Sequence, residues 1–523
     1  MRKHLVILLS FLLVLGCSKP EDGKGEKSTD LVPIELKEGN NTAGYVLYTD
    51  GSPVPGVVVS DGYSCTLTDK NGIYQFARNA KARHVFISYP ENCEISCKTN
   101  QIPDFFHRIS PGTKDMIRND FQLKKRSGIA PSTFVLYLIA DSQVKTPVQE
   151  NRFVNEVIAD LNAHVAKQTK PCIAVTLGDD GDDNLYHVSR SETTTTYQSV
   201  SNCYGYLNLP CFHCIGNHDH DRTVPSGDAN YYEKSLGAYE AAFNPVNYSF
   251  NYGNVHFVIM DDIKYTGPST YEVGLKEEQM EWLKQDLSYV PTGKCVYVCM
   301  HGGIRGSNFS CKDELMNLIA PYADKRIFIG HSHYNQHYIH TKYGNTHEWI
   351  VSAACGLFWR GTISNDGSPL GYGVCHVGRN GVENSYYKSA NYEDGFQGRI
   401  LDASKFSGWK TAKDGDGVLW TDKVVCNIWN SDSQNYNKWT VELYEDGKRT
   451  KPMSMSKTQD YSVYDWIDRY TDLAALSYPH NSMVWKAVPV SRNSVKSVKA
   501  VDPYGNEYWI RETVTDCAEY REY

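Results

Sequence analysis

The chain has 523 residues, 41% of them hydrophobic, which is ample material for more than one packed domain. A formal net charge of −8 with no long basic run excludes general nucleic-acid binding, so any attraction for an anionic substrate has to be local. Fifteen cysteines in 523 residues fall well short of the density of a disulfide scaffold.

At the N-terminus, Arg2, Lys3 and His4 precede the apolar segment Leu5–Leu15, which is too short to span a bilayer as a helix and reads as a secretory signal. It closes on Val14-Leu15-Gly16-Cys17, which resembles the lipobox of bacterial lipoproteins, cut before a cysteine that is then diacylated. The resemblance implies a signal peptide over 1–17 and lipidation at Cys17. With Ser18 rather than Asp next, it also implies a protein of the bacterial cell envelope anchored at the outer membrane. Residues 18–40, rich in Lys, Glu, Asp and Gly, read as a flexible tether. No later segment is long and apolar enough to cross a membrane.

Residues 41–125 alternate short apolar runs (Gly44–Tyr48, Val57–Val59, Tyr74–Phe76, His84–Tyr89) with turns such as Asp50-Gly51-Ser52-Pro53 and Asp69-Lys70-Asn71-Gly72, the pattern of a small β-sandwich. The repeated Gly, Pro and aromatic positions resemble carboxypeptidase-regulatory or transthyretin-like modules. Nothing in it offers chemistry, and the expectation is a stalk. Cys65, Cys93 and Cys97 are the better disulfide candidates. Cys172, Cys214, Cys295 and Cys299 lie in or beside core strands, and Cys211-x-x-Cys214 reads as core rather than zinc site.

After a linker at 127–131, residues 131–348 change to an α/β texture. Phe134–Ala140, Ile173–Leu177, Phe212–Ile215, Val296–Met300 and Ile327–Ile329 read as buried parallel strands. Phe153, Val157, Leu161 and Val165 step along one helix face, the Ser/Thr-rich stretch 189–201 reads as a loop near the site mouth, and Thr270–Val290 reads as a helix that stops at Pro291. Each strand is followed by polar residues: Asp141-Ser142-Gln143, Gly178-Asp179-Asp180-Gly181-Asp182-Asp183, Gly216-Asn217-His218-Asp219, His301, and Gly330-His331-Ser332-His333. Carboxylates, carboxamides and imidazoles gathered at the carboxyl edge of a sheet are the inventory that two divalent ions about 3.5–4 Å apart require.

Five motifs in this order resemble the calcineurin-like metallophosphoesterases over Phe134 to His333. The resemblance implies a four-layered α/β sandwich. It implies a first metal on Asp141, Gln143 and His333, a second on Asn217, His301 and His331, and Asp179 bridging both. A metal-bridging hydroxide would attack phosphorus while His218 protonates the leaving group. Asp182 would orient His218 by the family motif, although Asp183 or Asp219 could serve, and Arg305 is a candidate phosphate contact. Gln143 departs from the commoner His, leaving oxygen donors against one imidazole at the first site. Mn²⁺ or Fe is favoured there, with Zn²⁺ also in range.

From 349 to 523 the texture is again β-rich, with strands expected at Val424–Trp429, Trp439–Glu445 and Val484–Val490. Gly356-Leu357-Phe358-Trp359-Arg360-Gly361 followed by Asp366-Gly367-Ser368-Pro369 resembles a C-terminal module of exported calcineurin-like phosphoesterases. Tyr461, Tyr464, Trp466 and Tyr470 form either a sugar-stacking surface or, more commonly for such clusters, core. Asp414-Gly415-Asp416-Gly417 lacks EF-hand spacing and reads as a turn.

The expected architecture is therefore an α/β sandwich flanked by an N-terminal β-sandwich and a C-terminal β-rich domain. The expected activity is binuclear-metal-dependent hydrolysis of phosphoesters, mono- or diester, by a lipid-anchored envelope protein. Its substrate would be a phosphorylated glycan, lipid or nucleotide. The competing reading is a glycan-binding or adhesive lipoprotein whose phosphatase domain is weak or inactive. The nearly complete ligand set favours the enzyme, and no HxHxDH run supports a metallo-β-lactamase-type hydrolase.

Overall fold

The run Phe134–Ile139 is buried along its whole length, so it can only be an interior strand covered on both faces. It occupies the middle of a five-stranded sheet ordered Cys211–Phe212, Cys172–Thr176, Phe134–Ile139, Gly371–Gly378, Gly381–Ser389. The first three strands are parallel and the last two return as an antiparallel hairpin. A six-stranded sheet faces it, ordered Tyr248–Tyr252, Val255–Ile259, Cys295–Cys299, Lys325–Ile329, Thr346–Ile350, Gln336–His340. Its four central strands are parallel and each edge strand is antiparallel. Aromatic rings join the sheets, with Phe134 edge-on to Tyr252 at 5.0 Å and 6.2 Å from Phe257.

Helices cover both outer faces. On the first sheet lies the segment Pro147–Arg152, Phe153–Ile158 and Ala159–Ala166, whose middle part is a wide π-helical stretch. Tyr137 meets His164 at 2.7 Å and Tyr372 donates to Asp160 at 2.7 Å. On the second, Glu277–Ser288 presents Asp286 to Ser249 and His256, both at 2.7 Å. The result is the helix–sheet–sheet–helix order of a four-layered α/β sandwich.

This computed structural model describes residues 31–520 apart from 129, 184, 306–307, 433 and 470–482. The signal segment, Cys17, most of the tether and Tyr470 lie outside the described residues. Leu31 to Pro33 carry no regular secondary structure, and the chain from Ile34 onward forms one unit. No helix among the described residues is long and apolar enough to cross a membrane.

Several expectations change. Thr270–Val273 is not helical: it pairs with Ile263–Gly267 as a hairpin, and the helix starts only at Glu277. Thr270, Tyr271 and Val273 favour a strand, Gly274 turns the chain at φ +150°, and Lys276 N donates to Gln279 Oε1 at 2.8 Å to open the helix. Within the expected loop 189–201, Tyr197–Cys203 is a helix capped by Thr196. The hairpin Gly371–Ser389, assigned by sequence to the C-terminal region, completes the first sheet of the sandwich instead. Cys65, Cys93 and Cys97 are free thiols.

The N-terminal strands form two sheets, Ile73–Phe76, Thr42–Tyr48, Phe121–Lys125, Cys93–Glu94 with Ile117–Arg118, and Cys65–Leu67, Val58–Ser60, His84–Ile87, Phe106–Arg108. They do not form a stalk. Phe105 packs 4.8 Å from Tyr248, the Trp282 indole donates to Ser60 Oγ at 3.0 Å, and an ion pair between half-buried Arg83 and buried Glu240 completes the seam. The apolar core therefore runs continuously from the N-terminal sheets into the sandwich.

The C-terminal region builds two further sheets around Val424–Ile428 and Thr440–Glu445, with Cys426, Ile428, Val441, Leu443 and Val498 in one core. Trp466 is buried in a second core, and Tyr461 packs against Trp409 at 5.4 Å, which answers the sugar-platform question in favour of core for these two. Asp414 forms a turn whose carboxylate is paired with Lys423 and Lys486.

Candidate active site

The five polar clusters meet at the carboxyl ends of the parallel strands. Backbone bonds hold the loops together: Asp141 N donates to Gly178 O at 3.1 Å, Gln143 N to Asp179 O at 2.8 Å, and Gly330 N to His301 O at 3.2 Å. Close contact leaves no room for larger residues. A Cβ on Gly216 would come 2.2 Å from Asp179 Oδ1, and one on Gly178, at φ +86°, 2.6 Å from His301 Nδ1. Asp141, Gln143, Asp179, His331 and His333 all adopt left-handed backbone, with φ of 50°, 39°, 55°, 67° and 53°.

Asp179 lies at the centre. Its Oδ1 accepts from His218 N at 2.8 Å, and its Oδ2 is 3.2 Å from both Gln143 Nε2 and His301 Nε2. His301 Nε2 is also 3.0 Å from Asn217 Oδ1 and 3.1 Å from His331 Nδ1. On the other side, His333 Nε2 is 3.3 Å from Asp141 Oδ1, while Asp141 Oδ2 accepts from His331 N at 2.9 Å. All seven residues that the sequence assigns to metal binding are thus gathered into one cluster.

The chemistry of these atoms fits cations. His301 Nδ1 faces the Leu177 carbonyl at 2.8 Å and His333 Nδ1 the Gly356 carbonyl at 3.1 Å. A carbonyl only accepts, so in each neutral ring the proton sits on Nδ1 and Nε2 is a bare lone pair. Those lone pairs point at carboxylate and carboxamide oxygens that are acceptors too. Asp141 Oδ1, fully buried, accepts no well-formed hydrogen bond, and beside it stands only His333 Nε2 at 3.3 Å, which in the neutral ring has no proton to give. Without an ion, burial works to lower the His301 pKa but the Asp179 and Asp141 carboxylates raise it to about 10, so a proton on Nε2 then takes the place a cation would fill. Burial likewise opposes ionisation of Asp179, and the surrounding imidazoles hold it well below the usual carboxylate range. Positive charge belongs in this cluster, and two divalent ions on these donors would satisfy every orphaned acceptor.

A second group stands beside it. His218 Nδ1 is 2.9 Å from Asp183 Oδ1 and 3.2 Å from Asp182 Oδ1, so both carboxylates are in reach. Lys145 pairs with Asp182 at 3.0 Å and Arg222 with Asp183 at 2.6 Å, so these carboxylates already have cations. Burial acts to lower the His218 pKa, but Asp179, Asp182 and Asp183 together hold it well above the usual imidazole value. Asp219 does not reach the ring. It accepts from the backbone of Asp180, Gly181 and Gly216 at 3.1, 3.0 and 2.9 Å and ties two loops together. Arg305 is engaged by Gln336 Oε1 at 2.7 Å, Tyr334 OH at 3.0 Å and the Tyr338 ring at 4.2 Å, rather than by the cluster.

Sequence reading missed four contributors. Arg222, four residues past His218, is with Lys145 a basic group beside the His218 carboxylates. Tyr271, on the unforeseen hairpin, stands edge-on to His331 at 6.2 Å. Asp262 accepts from His301 N and Gly302 N at 3.1 and 3.0 Å and fixes that loop. Cys355 lies 3.6 Å from Gln143 Oε1. Of these only Arg222 carried a signal, its place directly behind the Gly216–Asp219 motif.

Three family models match the chain in order: the N terminal of calcineurin-like phosphoesterase over residues 40–126, calcineurin-like phosphoesterase over 136–335, and the C terminal of calcineurin-like phosphoesterase over 348–508. Among solved structures the chain is similar to PhoD, at 9% identity and TM-score 0.34 over 89% of this chain and 87% of that one. It is similar to a 5'-nucleotidase from Candida albicans SC5314, at 11% identity and TM-score 0.33 over 50% and 53%. It is also similar to purple acid phosphatase PPD1 from yellow lupin (Lupinus luteus) seeds, at 13% identity and TM-score 0.32 over 74% and 73%. No curated protein matches the chain.

Proposed function

For a chain that is a metallophosphoesterase, we propose hydrolysis of a phosphomonoester or phosphodiester at a binuclear centre, by a protein held at the bacterial envelope through a lipid on Cys17. Asp141, Gln143 and His333 would hold the first ion and Asn217, His301 and His331 the second, with Asp179 placed to serve both. The observation that carries this reading is the convergence of acceptors: Asp141 Oδ1 accepts no well-formed hydrogen bond, and His301 and His333, each with Nδ1 turned to a carbonyl, aim Nε2 at the carboxylates of Asp179 and Asp141.

When bound, the ions supply a water of lowered pKa and neutralise charge on the phosphoryl oxygens. The protein's own groups do the rest. Two formal carboxylates among the seven ligands leave a cationic centre inside an acidic chain, which favours a phosphate anion. His218 has Nδ1 engaged by Asp183 and Asp182, which leaves Nε2 to carry the proton for the departing alkoxide. Asp179, Asp182 and Asp183 raise the ring's pKa against burial, which favours the protonated, acid form at rest. Arg222, fixed by Asp183, is the group at hand to bind a non-bridging oxygen.

The test is turnover by purified, chelated protein refilled with one metal at a time, against mono- and diester chromogenic substrates and nucleotides. Hydrolysis that returns with divalent ions supports the reading. A protein that binds two ions per chain and hydrolyses none of these substrates contradicts it. The anchor is tested separately by mass spectrometry of the mature N-terminus, where anything other than acylated Cys17 rejects it.

A further inference from the structure

Gln143 leaves the first metal position short of a strong donor, since a carboxamide oxygen is a weak ligand beside the imidazole that commonly stands there. The structure brings a thiol to that place. Cys355 is fully buried, and its Sγ is 3.6 Å from Gln143 Oε1. The thiol also lies 3.5 Å from the carbonyl of its neighbour Gly356.

The backbone fixes it there from both sides. Cys355 N donates to Asp141 O at 3.2 Å and Ala354 N to Ala140 O at 2.7 Å, so the residue is locked beside the strand end that carries Asp141. The next carbonyl, Gly356 O, faces His333 Nδ1 at 3.1 Å. The loop then turns through Phe358 and Trp359, both left-handed. Phe358 packs 4.8 Å from the His333 ring and the Trp359 indole donates to Ser142 O at 2.8 Å.

A buried cysteine ordinarily serves as a small hydrophobe, as Cys426 does among Ile428, Leu443 and Val498. Cys355 also belongs to an apolar core, but its thiol meets the carboxamide oxygen of Gln143 and its backbone N–H the carbonyl of Asp141, two candidate ligands of the same ion.

We propose that Cys355 is a sulfur ligand of the ion held by Asp141, Asp179 and His333, supplying the strong donor that Gln143 does not. The inference rests on the binuclear reading above. On coordination the thiol gives its proton to solvent and binds as thiolate. A soft donor turns the first site towards Zn²⁺ or Fe²⁺ and away from Mn²⁺, against the preference that oxygen ligands alone imply.

The experiment is X-ray absorption fine structure on the full-length protein loaded with zinc. Wild type is expected to show a sulfur scatterer at about 2.3 Å, roughly one sulfur for each pair of zinc ions. Cys355→Ser should lose it and Cys426→Ser keep it, with Cys355→Ala in reserve should the serine variant not fold. Two zinc ions bound by nitrogen and oxygen alone in wild type, or sulfur that persists in a Cys355 variant, overturns the proposal and leaves the binuclear reading standing. A chain that takes up manganese or iron but no zinc overturns the proposal alone, and one that takes up no divalent ion overturns both.

Discussion

His301 Nδ1 and the Leu177 carbonyl lie 2.8 Å apart, across the gap between the two sheets of the sandwich. His301 follows a strand of the six-stranded sheet and Leu177 follows a strand of the five-stranded one. The bond therefore fixes the tautomer of a ligand and ties it to the face-to-face packing of the sheets. The site is a property of the interface between layers, and whatever shifts one sheet shifts half of the donors.

His218→Ala should lower kcat by about 10²–10⁴-fold with both metals retained, because it removes a proton donor and no ligand. Steady-state kinetics paired with metal analysis decide it. Wild-type turnover in a metal-replete variant would reject His218 as the acid.

The carboxylates around His218 set a pH limit. The acid must be protonated, so activity falls on the alkaline side as pH rises through its pKa, which Asp179, Asp182 and Asp183 hold up against burial. Asp183→Asn takes away one of these, so the alkaline limb of kcat/KM should move to lower pH. An unmoved limb in the pH profile would mean that some other group governs it.

Gly216→Ala should empty the metal site while the fold persists. The new Cβ would come 2.2 Å from Asp179 Oδ1 and 2.3 Å from Asp179 N, so the loop that carries this carboxylate has to yield. The expected outcome is loss of bound metal and a fall in turnover of at least about 10²-fold, read by metal analysis and circular dichroism. Full occupancy would show that Asp179 is not held where the structure has it.

Glu240 couples stability to pH at the seam with the N-terminal sheets. Burial raises its carboxyl to about 7, with Arg83 partly offsetting, from an ordinary 4.5. A raised acid stabilises the fold fully below its unfolded pKa, and that contribution is lost as pH rises through the folded value. Between about 4.5 and about 7 the Tm of wild type should therefore fall relative to that of Glu240→Gln. A constant difference between the two melting curves across this window would contradict the assignment.

What the sequence revealed depended on how local its signals were. Asp179, Asn217, His218 and His331 each directly follow a short apolar run, so ligand type and strand could be read together. The hairpin Gly371–Ser389 pairs with a strand more than two hundred residues earlier, and no local pattern marks which sheet it joins. Phe105 and Trp282 read simply as core, which they are, but a core residue does not announce whose core it belongs to. Cys355 failed for the same reason: its neighbours Gln143 and His333 are brought by the fold, and nothing adjacent in sequence sets it apart from the other buried thiols.

Five candidate ligands sit in left-handed backbone that ordinary L-residues avoid. Each such conformation costs on the order of 1–2 kcal/mol, so the loops of the ion-free protein are wound against their own preference. Asn or Gly at these positions would relax the chain and leave the chemistry behind. The ligand loops are thus where this protein has most thermal resistance to gain, and where gaining it is incompatible with being an enzyme.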